Sequence, residues 1–490
     1  MSSSSTGATQ PLLDAAAAKQ QIDAKWDDDI VHRLTEYIRI PAKSPAFDPD
    51  WAKHGYIEQV VTNAAAWVEA QKVPGLKLEI VQAEGRTPLI FFEVASTKPG
   101  ATKTALMYGH LDKQPEFTGW HEGLGPWTPK YDADGKLWGR GAADDGYAVY
   151  AATTALLELS RQKMPHPRIV GIIEACEESG SPDLLPYIDM LRPRLGDVGL
   201  VVCLDSGAGS YDQLWLTTNL RGMASGTLRV EVLTQGVHSG DASGMVPGSF
   251  RILRRVLDRL EDSATGRLLP AVLHCDIPAE RRAQAEVTAK ALGDALFDAY
   301  PWAHYPQGGN EQTVLSPCTS GTEALLARTW QPTLTITGAE GLPALKDAGN
   351  VLRPYTSLKL SLRLPPLVDG AVAMREVKRV LEADPPYQAK VTFDCHDSAT
   401  GWNAPAMQPW FTEALEVASQ AFFNAPCGYI GQGGTIPLMG QLSEGFPTSQ
   451  MMVCGVLGPG SNAHGPNEFL HVPYAKKLTA CVAEVIARMP

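Results

Sequence analysis

The chain has no apolar run long enough to cross a bilayer as a helix, which takes about 20 residues, so no membrane association is expected. It is also short of positive charge: 42 Lys and Arg stand against 54 Asp and Glu, a formal net charge of −12. A surface built to hold nucleic acid needs the opposite sign. Cysteine is sparse, 8 in 490 residues, and none falls in a Cys-x-x-Cys pair. That argues against a disulfide scaffold and against a thiolate metal site. It suits small buried hydrophobes in a reducing compartment. The opening residues, MSSSSTG, carry neither the basic nor the apolar stretch of an export signal, so a soluble cytoplasmic protein is expected.

What is present is ordinary globular material, 44% hydrophobic and 20% charged, in a chain too long for one core. Helical spacing runs over Ala15–Tyr37, Tyr56–Ala70 and Tyr147–Leu159. Leu76–Val81 and Leu89–Val94 read as strands about a turn holding Gly85 and Pro88. Thr104–Tyr108, Arg168–Glu174 and Asp197–Cys203 are apolar runs fit for buried strands. Strands alternating with helices predict an α/β sheet covered on both faces.

Past Asp205 the period changes. Thr227–Thr234 and Leu358–Leu364 alternate apolar with polar residues, and helical stretches follow each, Pro247–Leu260 and Ala371–Ala383. With a further strand over Gln388–Phe393, these predict a small α+β domain whose sheet is open on one face. Trp410–Phe422, Met451–Leu457 and Pro473–Met489 then resume the helix–strand–helix pattern. The expected fold class is α/β with two domains: a mixed-sheet α/β catalytic domain in two parts, residues 1–210 and 403–490, interrupted by an α+β insertion over 211–402. Residues 280–300 read as helical and suggest no role.

Chemistry-bearing residues gather where these strands end. His110 and Asp112 follow the strand ending at Tyr108; two apart in extended backbone, their side chains point the same way. Imidazole and carboxylate both suit Zn²⁺ or Mn²⁺, with Asp112 better placed to hold the second ring nitrogen of His110 than to bind an ion. Asp144 and Asp145 follow a Gly-Arg-Gly turn; adjacent carboxylates repel unless a cation or donor compensates, and one bridging two ions would do so. Glu177 and Glu178 close another apolar strand, where one can bind metal and the other take a proton from water. Asp205 and His464 stand after the strands ending at Cys203 and Leu457. Singly, each has a plainer explanation: a capped loop, a helix cap, a solvated turn. The weight lies in the set, because strand ends of one α/β sheet bring distant residues to one cleft.

Six segments together resemble the M20 metallopeptidases in order and spacing over nearly the whole chain: YGHLD at Tyr108–Asp112, GRGAADD at Gly139–Asp145, EACEESG at Glu174–Gly180, LD at Leu204–Asp205, HSG at His238–Gly240 and AHGPNE at Ala463–Glu468. The likeness is to the dipeptidase branch, with carnosinases and cytosolic nonspecific dipeptidases. It implies two divalent ions, zinc first with manganese or cobalt as substitutes, about 3.5–4 Å apart. One would be held by His110, Asp144 and Asp205, the other by Asp144, Glu178 and His464. It further implies Glu177 as general base toward a water between the ions, Asp112 orienting His110, and a cis peptide between Asp144 and Asp145.

By the same resemblance the insertion is a lid and dimerisation domain of a homodimer, and His238 stabilises the oxyanion in the partner's site. Arg363 would grip a substrate carboxylate, with Asn350 and the loop holding Gly433, Gly434 and Thr435 adding polar contacts. The implied reaction is amide hydrolysis of dipeptides or short peptides. The rivals are an N-acyl-amino-acid amidohydrolase, a carboxypeptidase and, outside enzymes, a metal-dependent binding protein. One departure stands out: many relatives of this branch carry lysine after the paired aspartates, and this chain has Gly146 and Tyr147.

Overall fold

In the computed structural model, which describes residues 10–307, 310–433 and 437–490, the first half of the chain supplies five strands of one sheet, four of them apolar runs buried almost throughout and the first a largely exposed edge. We label them β1 (Lys77–Val81), β2 (Leu89–Val94), β3 (Thr104–His110), β4 (Arg168–Glu174) and β5 (Val198–Cys203). With Gln450–Val453 they form a six-stranded sheet in the order β1-β2-β4-β3-β5 and then Gln450–Val453. The first two pairings are antiparallel and the rest parallel, so the sheet is mixed. β3 lies inside it with all seven residues buried, which is why its sequence shows no alternation.

Helices Ala148–Arg161 and Val472–Arg488 bury nearly every residue and pack on each other. The N-terminal helical stretch comes in three pieces, Ala15–Lys25, a π turn at Trp26–Ile30, and Val31–Ile38. Asp14 caps the first piece by accepting from the N–H groups of Ala16 and Ala17, which satisfies two donors that a helix start leaves orphaned. The π turn carries the fully buried Trp26, whose Nε1–H donates to Thr479 Oγ1 at 3.2 Å.

The chain divides into two compact units: Met1–Thr217 with Ala404–Ile430 and Gln441–Pro490, and Thr218–Asn403 with Gly431–Gly440. In the second, four antiparallel strands, β6 (Gly222–Glu231), β7 (Thr333–Glu340), β8 (Tyr355–Leu364) and β9 (Lys390–Ala399), run in the order β7-β8-β6-β9. One face is core: Leu228, Val230, Leu360, Leu362 and Phe393 meet Ile252, Leu253 and Val256 of helix Ser249–Leu257 and Val377 and Leu381 of helix Gly370–Glu382. Each buried leucine there contributes about 1.5–3 kcal/mol over leaving it in water. Strand β7 has no counterpart among the expected strands, because it is a half-exposed edge with a bulge between Ile336 and Gly338. Among the described residues no helix is long and apolar enough to cross a membrane. Cys176, Cys203, Cys427, Cys454 and Cys481 are buried.

Candidate metal centre

Strand β3 delivers His110, fully buried, at the end of the sheet's interior. Its neighbour Gly109 is glycine because a Cβ there would meet Ala148 Cβ at 2.6 Å and Asp145 Oδ2 at 2.9 Å, so the paired aspartates could not approach. His110 Nε2 lies 3.3 Å from Asp144 Oδ1 and 3.8 Å from Asp205 Oδ2. The second oxygen, Asp144 Oδ2, lies 2.9 Å from His464 Nε2, which is 3.3 Å from Glu178 Oε2. Two ligand sets result, His110–Asp144–Asp205 and Asp144–Glu178–His464, each with its donor atoms within 4.8 Å of one another. They share Asp144, one oxygen turned to each side.

The remaining ring nitrogen of His110 faces Asp112: Nδ1 is 3.2 Å from its backbone carbonyl oxygen and 3.4 Å from Oδ1. The same carboxylate accepts the backbone N–H of Glu177 at 3.0 Å on Oδ1 and that of Glu178 at 3.0 Å on Oδ2. Asp112 therefore aligns an imidazole and the turn Glu177–Ser179 together. The peptide between Asp144 and Asp145 is cis, and Asp145 Oδ2 accepts the N–H of His110 at 3.3 Å. Gln114, unremarked in the sequence, donates to Glu178 Oε2 at 2.5 Å.

The electrostatics favour a cation. Burial, reinforced by the Asp205 charge for Glu177 and the Asp144 charge for Glu178, pushes both carboxyls well above the usual range. Asp205 is pushed up to about 6 by burial, and Asp145 also rises. Burial alone would lower His110, yet Asp112 and Asp144 hold it well above its ordinary value. Asp144 is held low despite its burial, by His110 and His464. His464 is likewise raised against its burial, by Asp144, so both imidazoles hold protons more tightly where divalent charge would serve, and metal binding would displace them. Two buried oxygens, Asp145 Oδ1 and Glu178 Oε1, accept no hydrogen bond among the described residues. Oxygen and imidazole donors in two adjoining sets fit Zn²⁺, Mn²⁺ or Co²⁺.

Glycine at 146 has a packing reason: a Cβ there would meet Tyr37 Cε1 at 2.3 Å. The Tyr37 ring in turn carries the buried Lys113, whose Nζ lies 3.8 Å from the ring centroid. That Nζ donates to the carbonyl oxygens of Tyr37 at 2.7 Å and Ile40 at 2.8 Å. Neither Lys113 nor the buried pair of Arg140 and Glu468 figured as a functional residue in the sequence; the one hint was Arg140 set between Gly139 and Gly141.

The other expected residues lie in the second unit. His238, at the end of the short strand Val237–His238, pairs with Val351, and the next N–H, of Ser239, donates to Asn350 O at 2.9 Å. The His238 side chain is 65% exposed, with Asp241 at 3.5 Å from Nδ1. Arg363 is on β8, half-buried, and its carbonyl accepts from Arg221 Nη2 at 3.3 Å. Gly433 occupies a bend, while Gly434 and Thr435 lie outside the described residues.

Comparison with known proteins agrees with this architecture. The chain is 26% identical over 443 residues to the cysteinylglycine-S-conjugate dipeptidase of Corynebacterium striatum, covering 87% of this chain and 91% of that protein. It is 26% identical over 465 residues to the Beta-Ala-His dipeptidase of Homo sapiens, covering 90% and 86%. Its fold is that of human carnosine dipeptidase 1, with a TM-score of 0.73 at 22% identity over 98% of this chain and 99% of that one. Residues 106–488 match the model of Peptidase family M20/M25/M40, a span that takes in every candidate ligand from His110 to His464, and the chain belongs to that family.

Proposed function

We propose that the chain hydrolyses the amide bond of dipeptides or short peptides in a metal-dependent reaction. The observation that carries this reading is Asp144 sharing its two oxygens between two ligand sets. Such sharing suits a pair of divalent cations and has no purpose in a core. His110, Asp144 and Asp205 would hold one, and Asp144, Glu178 and His464 the other; zinc is the first choice. Bound there, the cations supply Lewis acidity that polarises the scissile carbonyl and acidifies the attacking water.

Glu177 takes the proton of that water and passes it to the leaving amine. It keeps some exposure, as a group trading protons with substrate must. Asp112 fixes the His110 ring through Nδ1 and fixes the Glu177–Glu178 turn through both backbone N–H groups. A purely structural or carrier site needs no such aligned base, which weighs against a binding protein.

The insertion serves as lid and dimerisation domain, and the protein works as a cytoplasmic homodimer. His238 stabilises the oxyanion in the partner subunit's site, a role its exposure suits. Arg363 grips the substrate carboxylate, supported by Asn350 and the loop at Gly433, Gly434 and Thr435. The dipeptidase names of the relatives favour a free-amine dipeptide over an N-acyl amino acid. The metal-loaded enzyme should be assayed on dipeptides that are free, N-acetylated or C-amidated. Free dipeptides are expected to turn over, with amidated ones lost; preference for the acetylated set would make the protein an amidohydrolase, and indifference to amidation would remove Arg363 from its role.

A further inference from the structure

We propose that Arg140 is a positioning residue for the metal centre, joining three of the five segments that carry the ligands and, through Glu468, setting where His464 stands. The inference rests on the ligand assignment proposed above. Arg140 is 1% exposed, and its three nitrogens are spent on two other pieces of chain. Nε donates to Pro115 O at 3.2 Å, in the segment leading away from His110 and Asp112. Nη1 donates to Glu468 Oε2 at 2.6 Å, and Nη2 donates to Gly465 O at 2.7 Å, the carbonyl next to His464. Arg140 itself sits at the head of the turn that leads to Asp144.

Glu468, fully buried, completes the clamp. Its other oxygen accepts the N–H of Gly141 at 2.9 Å, and its backbone carbonyl accepts that of Gly139 at 3.0 Å. The loop over residues 464–468 is thereby bound on both sides of Arg140. Room for this comes from Gly141, at φ +85°, where a Cβ would strike the Lys113 stem at 2.8 Å. The rings of Phe117 and Trp120 flank the guanidinium, with centroids 5.8 and 5.7 Å from Cζ.

Directional bonds are the reason to assign positioning rather than bulk stability. A buried ion pair is a weak source of stability compared with apolar packing, but a planar fork fixes the geometry of what it holds. His464 needs such help, because its side chain is 57% exposed and packing does not fix the ring. His110 sits inside the sheet and needs none. The clamp should therefore matter to one ligand set more than to the other.

The test is calorimetric titration of the metal-stripped full-length enzyme with Zn²⁺, comparing wild type, Glu468→Gln, Arg140→Lys and His464→Ala, with melting temperature read for each. Glu468→Gln keeps the shape of the side chain and decides the matter if Arg140→Lys fails to fold. Wild type should take up two equivalents and His464→Ala should lose one. The clamp variants should bind the first equivalent as wild type does and the second about 10–100-fold more weakly, as changes behind a metal ligand do. Two tight equivalents in the clamp variants, with one lost in His464→Ala, would overturn the positioning role alone. An equal loss at both sites would overturn it too, as general loosening of the fold. Two tight equivalents in His464→Ala would overturn the ligand assignment and this role together.

Discussion

Two of the three candidate histidines of this molecule, His110 and His238, are built in opposite ways. His110 lies inside a sheet, unexposed, with both ring nitrogens facing carboxylates, at 3.4 Å from Asp112 and 3.3 Å from Asp144. His238 stands on a two-residue strand with 65% of its side chain in solvent and one carboxylate, itself 92% exposed, at 3.5 Å. The first arrangement fixes a ligand before any ion or substrate arrives, at the cost of packing carboxylates together. The second costs nothing to keep in water and fixes little until something covers it. On the roles proposed above, the preorganised histidine is a metal ligand and the adaptable one meets the substrate, while His464, a proposed ligand with its side chain 57% exposed, lies between the two.

The strongest way to break that contrast is Asp144→Asn, which removes charge from both ligand sets at once. Both zinc equivalents should weaken, and activity should fall by more than the ~10²–10⁴-fold that one acid–base group supplies. Retention of one tight equivalent in titration would mean that Asp144 serves a single ion. Glu177→Gln divides binding from chemistry: both equivalents should remain tight while kcat on a dipeptide drops roughly 10²–10⁴-fold. Wild-type turnover by that variant would take the base role from Glu177.

His238→Ala addresses the exposed partner of the comparison and should cost less, about 10²–10³-fold in kcat with metal binding unchanged. Mixed dimers of H238A and E177A subunits should recover activity through one intact composite site. No recovery in verified mixed dimers would return His238 to the status of a surface residue.

How much of this was legible in the sequence follows the same division. Runs such as Leu89–Val94 and Arg168–Glu174, and the helix Tyr56–Ala70, end where their patterns end, since burial writes itself directly into residue type. The ligands were legible because His110 ends such a strand, Glu178 and Asp205 follow one closely, and Asp144 and His464 stand in glycine-rich segments between elements. Strand β7 was not, because its half-exposed residues carry no apolar stripe. The strand expected over Met451–Leu457 ends at Val453, beyond which the chain closes on the segment after β5: a Cβ on Gly455 would meet Ser206 O at 2.1 Å. The grip of Asp112 on two backbone N–H groups depends on turn geometry, which side-chain identity does not encode. Arg140 and Glu468 are 328 positions apart, and only the folded chain shows them to be partners.

The finest distinction concerns the stability cost of the buried side, and Glu174 isolates it. Burial lifts its carboxyl from 4.5 to about 7, although Tyr108 Oη at 2.6 Å, Ser181 Oγ at 2.9 Å and Cys176 Sγ at 3.3 Å all donate to it. A carboxyl raised in the folded state keeps its proton while the unfolded chain loses its own, so the folded state loses ground as pH climbs between the two values. In the metal-free protein this group should therefore remove up to ~3 kcal/mol of stability between about pH 4.5 and pH 7, at 1.36 kcal/mol per unit. Glu174→Gln, which keeps the shape and cannot ionise, should flatten that part of the slope in urea unfolding followed across the window. If the variant and wild type lose stability in parallel, Glu174 is ionised in the folded protein and the cost of the buried cluster lies with its other carboxylates.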